Sequence, residues 1–153
     1  MQIIYLNYFL ASIVAYLGLL LGIILIKLAP EEQKPGKKYF ILLKKILFFI
    51  ILAFLLIFYK LNIILTTFLL IFIIILMLNK KINLEKSFLV YLLLGIIFYL
   101  SSKITNLFII ESILILLYGI PNASLIFKKR NYYDVLIKNL LFFVPVVLLY
   151  FVF

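Results

Sequence analysis

Hydrophobic positions in this chain come in long unbroken runs, and the polar positions come in short clusters between them. The stretches "ILFFIILAFLLIF" at 46–58 and "IILTTFLLIFIIILML" at 63–78 show neither the alternation of a half-buried strand nor the one-sided spacing of a helix on a soluble core. Cutting the chain at its charges and prolines leaves six apolar segments, at 4–28, 39–59, 62–79, 87–102, 104–120 and 135–153. Most lie near the roughly 17–25 residues that carry a helix across hydrocarbon at a rise of about 1.5 Å per residue. A lipid-facing barrel would alternate polar and apolar positions, and these runs do not. The expected fold is therefore an all-α integral membrane protein, a six-transmembrane-helix bundle forming one polytopic domain over 1–153.

Composition sharpens that reading. The 153 residues are 69% hydrophobic and 13% charged, with a mean hydropathy of +1.36. That is more apolar surface than a soluble domain of this size buries, so much of it has to face lipid. The net charge of +10 does not imply a nucleic-acid partner, because the lysines punctuate the apolar runs and form no basic domain. Cysteine and histidine are both absent, which removes disulfides, thiol chemistry and the common zinc sites; no metal or cofactor is expected.

The loop charges set an orientation. Lys27, Lys34, Lys37, Lys38, Lys44 and Lys45 fall between the first and second segments, Lys80, Lys81 and Lys86 between the third and fourth, and Lys128, Lys129, Arg130 and Lys138 between the fifth and sixth. Of the 15 basic residues only Lys60 and Lys103 belong to the other side. Cytoplasmic loops carry the excess of Lys and Arg, so both termini are expected outside. "MQIIYLNY" has no basic flank and reads as a short translocated tail, not a cleavable signal peptide. The lean toward Ile, Lys, Asn, Phe and Tyr fits an AT-rich prokaryotic genome, and the expected location is the cell membrane.

Several of these lysines are expected to meet anionic headgroups: Lys37, Lys38, Lys44, Lys45, Lys128, Lys129, Arg130 and Lys138. Lys44, Lys45 and Lys138 lie about one turn inside their segments, from which a long side chain can snorkel to the interface. Alternatively, 37–45 lies along the interface before the chain turns inward. Pro30, Pro35 and Gly36 are expected to stop the first helix and form a turn. Pro145 is expected to bend the last helix. Asn122-Ala-Ser124 matches a glycosylation acceptor but falls on the cytoplasmic side and is discounted.

Two further patterns bear on architecture. Residues 39–49, "YFILLKKILFF", align without gaps on 133–143, "YDVLIKNLLFF", which allows three duplicated helical hairpins. The blander reading is that every helix leaving a basic loop needs lysines, an aromatic anchor and then Ile, Leu and Phe. In the first segment Ala11, Ala15, Gly18 and Gly22 fall at steps of four, three and four, on one narrow face. Such a row lets another helix approach backbone to backbone, and a partner in the same chain is favoured over self-association.

Chemistry is sparse. Glu111 stands within "NLFIIESILILLYGI", close to mid-membrane by its distance from Lys103 and Pro121. An acidic residue at the centre of a span costs about 2.5–3.5 kcal/mol, which the surrounding Ile, Leu and Phe residues offset at about 0.3–0.6 kcal/mol each. One expectation is a protonated acid linking helices by hydrogen bonds. The other is a proton or cation site, with Thr66, Thr67 and Ser112 at similar depth, and Asn7, Ser12 and Tyr16 lining an outward cavity. The remaining acids, Glu31, Glu32, Glu85 and Asp134, form no metal cluster, and no nucleophile–base pair exists. The expected role is non-catalytic, a structural or assembly subunit in contact with lipid and a membrane partner. A small solute or ion transporter using Glu111 is the competing class.

Overall fold

The computed structural model describes residues 5–60, 62–78, 87–125 and 132–152, and among these every regular element is helical. The helices are α1 Tyr5–Leu28, α2 Gln33–Phe58, α3 Ile63–Leu78, α4 Ser87–Ser101, α5 Thr105–Ser124, α6 Tyr132–Asn139 and α7 Phe143–Val152, with 3₁₀ turns at Pro30–Glu32 and Leu140–Phe142. Four stretches, Tyr5–Leu28, Pro30–Phe58, Thr105–Ser124 and Tyr133–Val152, are long and apolar enough to cross a membrane. The α3 and α4 helices are shorter, at 16 and 15 residues. Lys80, Lys81, Lys86, Lys128, Lys129 and Arg130, expected on the cytoplasmic side, lie outside the described residues.

Local chemistry explains most boundaries. Ala29 precedes a proline and is driven out of the helical region, to φ −132 and ψ 68, which ends α1. Pro35 and Gly36 do not form the expected turn, because the break has already occurred at Ala29–Glu32. They lie in the first turn of α2, where a missing N–H is no loss. Lys60 closes α2 in the left-handed region at φ 49, and the Asn62 side chain caps α3 by accepting from the Ile64 amide at 3.0 Å.

Two prolines act differently from each other. The fifth segment does not stop at 120 but continues as helix through Pro121 to Ser124. The sixth is interrupted as expected: Leu140–Phe142 tighten to a 3₁₀ turn just before Pro145, whose ring excludes the carbonyl of Leu141 and whose nitrogen cannot donate to it. The aligned stretches 39–49 and 133–143 therefore diverge in conformation, since α2 runs on unbroken where the other tightens.

The centre of the bundle is α5. It packs most extensively on α1, then on α2 and α4, while α4 also holds α6, the second 3₁₀ turn and α7. The α3 helix packs on α2. Residues Leu107, Phe108, Glu111, Ile115, Tyr118, Gly119 and Asn122 are buried along α5 at steps of one, three and four, so one broad stripe of this helix faces its neighbours. Outside this core the surface is apolar: Leu6, Leu25, Leu28, Ile57, Ile63, Ile64, Phe68 and Leu148 are all at least half exposed.

Candidate functional site

The small-residue row of α1 is the seam with α5. Ala15, Gly18 and Gly22 are buried, and Ala11 packs against the core beside them. A side chain on Gly18 would enter the backbone of Leu116, and one on Gly22 would meet the Ala123 methyl at 2.7 Å. Gly119 of α5 answers from the other side and is itself closed off by Gly18. The small-residue row marks the α1 half of this contact in the sequence; Gly119 carries no such mark, because a single glycine in α5 makes no row.

Pairings on either side of the seam fix the levels of the helices. Tyr8 of α1 stacks on Phe108 of α5 with ring centroids 5.9 Å apart, and Phe108 meets Phe98 of α4 at 5.0 Å. Deeper in, Tyr118 of α5 meets Tyr91 of α4 at 5.9 Å and Phe48 of α2 at 6.2 Å. Glu111 lies one turn beyond Phe108 on α5, between these two aromatic layers.

Glu111 is 0% exposed, and among the described residues neither carboxyl oxygen has a hydrogen-bond partner. It is packed, as the linking role requires, yet it makes none of the hydrogen bonds that role implies. The expected companions are not gathered around it. Thr67 is exposed and donates to Ile63 and Ile64 of its own helix at 2.9 Å. Thr66 is buried on α3, the helix that packs on α2. Ser112 donates to Phe108 at 2.6 Å and Ser12 to Phe9 at 2.7 Å, each within its own helix. Asn7 is exposed. The enclosure accommodates a neutral acid and is hostile to an anion.

Other buried polar groups carry no mark in the sequence pattern. The Tyr8 hydroxyl donates to the Val146 carbonyl at 2.9 Å, and the Tyr16 hydroxyl donates to the Leu136 carbonyl. These two bonds clasp the α6–α7 segment to α1. Asn139 is fully buried, and among the described residues neither of its side-chain polar atoms has a partner, while the Asn122 amide approaches the Tyr91 phenol without a well-formed bond. Asn122 is thus inside the bundle and not in a loop where a glycan would attach. Asn and Tyr within apolar runs were the available signal, but their burial depends on helix register.

At the Ala29 end of the bundle, Leu25, Ile26, Ala29, Glu32, Gln33, Phe40 and Ser124 line a cleft of about 190 Å³. Gln33 donates to the Ser124 carbonyl at 3.2 Å across it. Because Gln33 and Phe40, two turns apart, border one cleft, the start of α2 passes across this end. Lys37, Lys38 and Lys45 are exposed there and Lys44 is half-buried; the Lys38 ammonium stands 4.9 Å from the Tyr39 ring. Lys138 is exposed in the last turn of α6, about one turn inside the Tyr133–Val152 stretch.

Among the described residues no group of three His, Cys, Asp or Glu side chains could hold a metal ion. The fold and site define an all-helical bundle with several helices apolar enough to cross a membrane and one enclosed carboxyl group. Comparison with protein-family models, with curated proteins and with solved structures finds no match for this chain.

Proposed function

We propose that this chain is a multi-pass protein of the cell membrane, with six spans and both ends outside, serving as a non-catalytic structural or assembly subunit. The α6–α7 segment, clasped to α1 and broken only by the 3₁₀ turn, counts as one span. The basic loops meet anionic headgroups on the cytoplasmic side, and the apolar exterior is the surface for lipid and for a membrane partner. The observation that carries the non-catalytic reading is the enclosure of Glu111: the central acid is fully buried between aromatic layers, and neither carboxyl oxygen has a hydrogen-bond partner among the described residues.

That same group supports a second reading. A buried carboxyl without partners is also what a proton-coupled transporter would hold in its closed state. The carbonyl stretch of Glu111, assigned in lipid against Glu111→Gln, separates the two. A structural subunit gives a band of neutral acid unchanged as external pH is varied. A band that titrates with the outside solution favours transport.

A further inference from the structure

Hydrogen-bond donors accumulate between α4 and α5, away from Glu111. Tyr91 and Asn122 are 1% and 5% exposed, and among the described residues neither the Tyr91 hydroxyl nor the Asn122 amide nitrogen has a partner, although the two side chains approach each other. Tyr91 offers one O–H and Asn122 two N–H groups, so a bond from the amide to the phenol oxygen would still leave the phenol proton without an acceptor. A buried donor in that state carries its full desolvation cost. The rings of Tyr16 and Tyr118 pack on Tyr91, with centroids 6.4 and 5.9 Å from its own, and help to enclose the place. Pro121 supplies the opposite chemistry. It is buried inside α5 and has no N–H, so the Leu117 carbonyl one turn earlier loses its helical donor, on the turn that leads to Asn122. Ser124 lines the cleft at the Ala29 end, which puts Asn122 about 3 Å along the helix from an opening. Glu111 lies in the other direction, about 16 Å away along α5.

We propose that the bundle binds an internal water molecule here, which accepts from the Tyr91 hydroxyl and the Asn122 amide and donates to the Leu117 carbonyl. About three bonds is the usual complement of a buried water, and this one would answer two donors and an acceptor that the helices themselves leave open. It exchanges with the solution through the cleft beside Ser124. The site is separate from Glu111, and it stands independently of the role proposed above.

X-ray radiolysis converts a bound water to hydroxyl radical in place, and the radical oxidises the side chain beside it even where bulk solvent does not reach. In the purified full chain, Tyr91 should be oxidised about tenfold more than Phe98, a ring as enclosed on the same helix, once each is scaled to its intrinsic reactivity. After brief mixing with ¹⁸O-water, the oxygen gained at Tyr91 should be the heavy isotope. Asn122→Leu should bring Tyr91 down to the level of Phe98, and Tyr91→Phe should do the same for oxidation at Pro121. Oxidation of Tyr91 no greater than that of Phe98 in the wild-type chain overturns the site, and that comparison needs no variant to fold. Tyr91 oxidation that persists in Asn122→Leu, or Pro121 oxidation that persists in Tyr91→Phe, with Phe98 still protected, overturns the bridge between the two side chains.

Discussion

Gly18 and Gly119 meet backbone to backbone where α1 crosses α5: a Cβ on Gly119 would stand 2.6 Å from the Gly18 carbonyl carbon and equally close to the Leu19 amide nitrogen. Those are backbone atoms of a neighbouring helix and cannot swing aside. Gly119→Ala is expected to destabilise the bundle by about 1–3 kcal/mol through overpacking. Gly36→Ala provides the contrast, because its nearest neighbour is the far edge of the Phe40 ring, at 2.9 Å, which can rotate away. Removing a helical glycine gains about 0.5–1 kcal/mol, so this variant should stay within about 1 kcal/mol of wild type. Unfolding of both variants in one mixed-micelle series measures the difference.

Glu111 yields a prediction of opposite sign to that of a binding residue. Replacing an enclosed, unpartnered polar group by an apolar one of similar shape removes a desolvation cost, so Glu111→Leu should raise stability by about 1–3 kcal/mol. Glu111→Lys should fail to accumulate, since nothing around the site would answer the charge. Stability in detergent and the amount of folded protein in membranes are the readouts.

The tyrosine clasps are tested by removing single oxygen atoms. Tyr8→Phe and Tyr16→Phe each delete one hydroxyl that holds the α6–α7 segment to α1. Each should cost about 0.5–1.5 kcal/mol, the usual net worth of a hydrogen bond. The loss should be local, appearing as faster hydrogen exchange in residues 132–152 with α1 and α5 unchanged.

Pro145→Ala restores a donor for the Leu141 carbonyl. The 3₁₀ turn at Leu140–Phe142 should relax toward α-helix, turning Lys138 and Asn139 relative to α7. Slower exchange of the amides from 141 to 146 would report the repair, and an unchanged pattern would mean that packing on Gly95 and not the proline maintains the turn.

The sequence made the helical class legible because unbroken apolar runs leave no other regular structure. It also made legible the α1 seam, since four small residues at helical spacing on one face have few other uses. It did not disclose the ends of α2 and α5. Pro35 and Pro121 look like stops in a linear reading, yet a proline is harmless in a first turn and tolerable near a last one. The candidate site was legible only as far as Glu111. Thr66 and Thr67 share its expected depth, but depth does not specify which helices touch, and α3 packs on α2. Lys138 resembles Lys44 in the aligned stretches, yet α2 runs on unbroken beyond Lys44 while the helix that carries Lys138 tightens to a 3₁₀ turn at Leu140.

The central claim, that the basic loops and the two termini lie on opposite sides of a membrane, is tested most directly by impermeant maleimide labelling of intact cells. Lys103→Cys, in the turn between α4 and α5, and Glu31→Cys, between α1 and α2, each introduce one thiol into a cysteine-free chain without weakening the charge bias. The account predicts that Lys103→Cys labels in intact cells and Glu31→Cys only after permeabilisation. Labelling of Glu31→Cys with Lys103→Cys protected, or no difference between them, would contradict it.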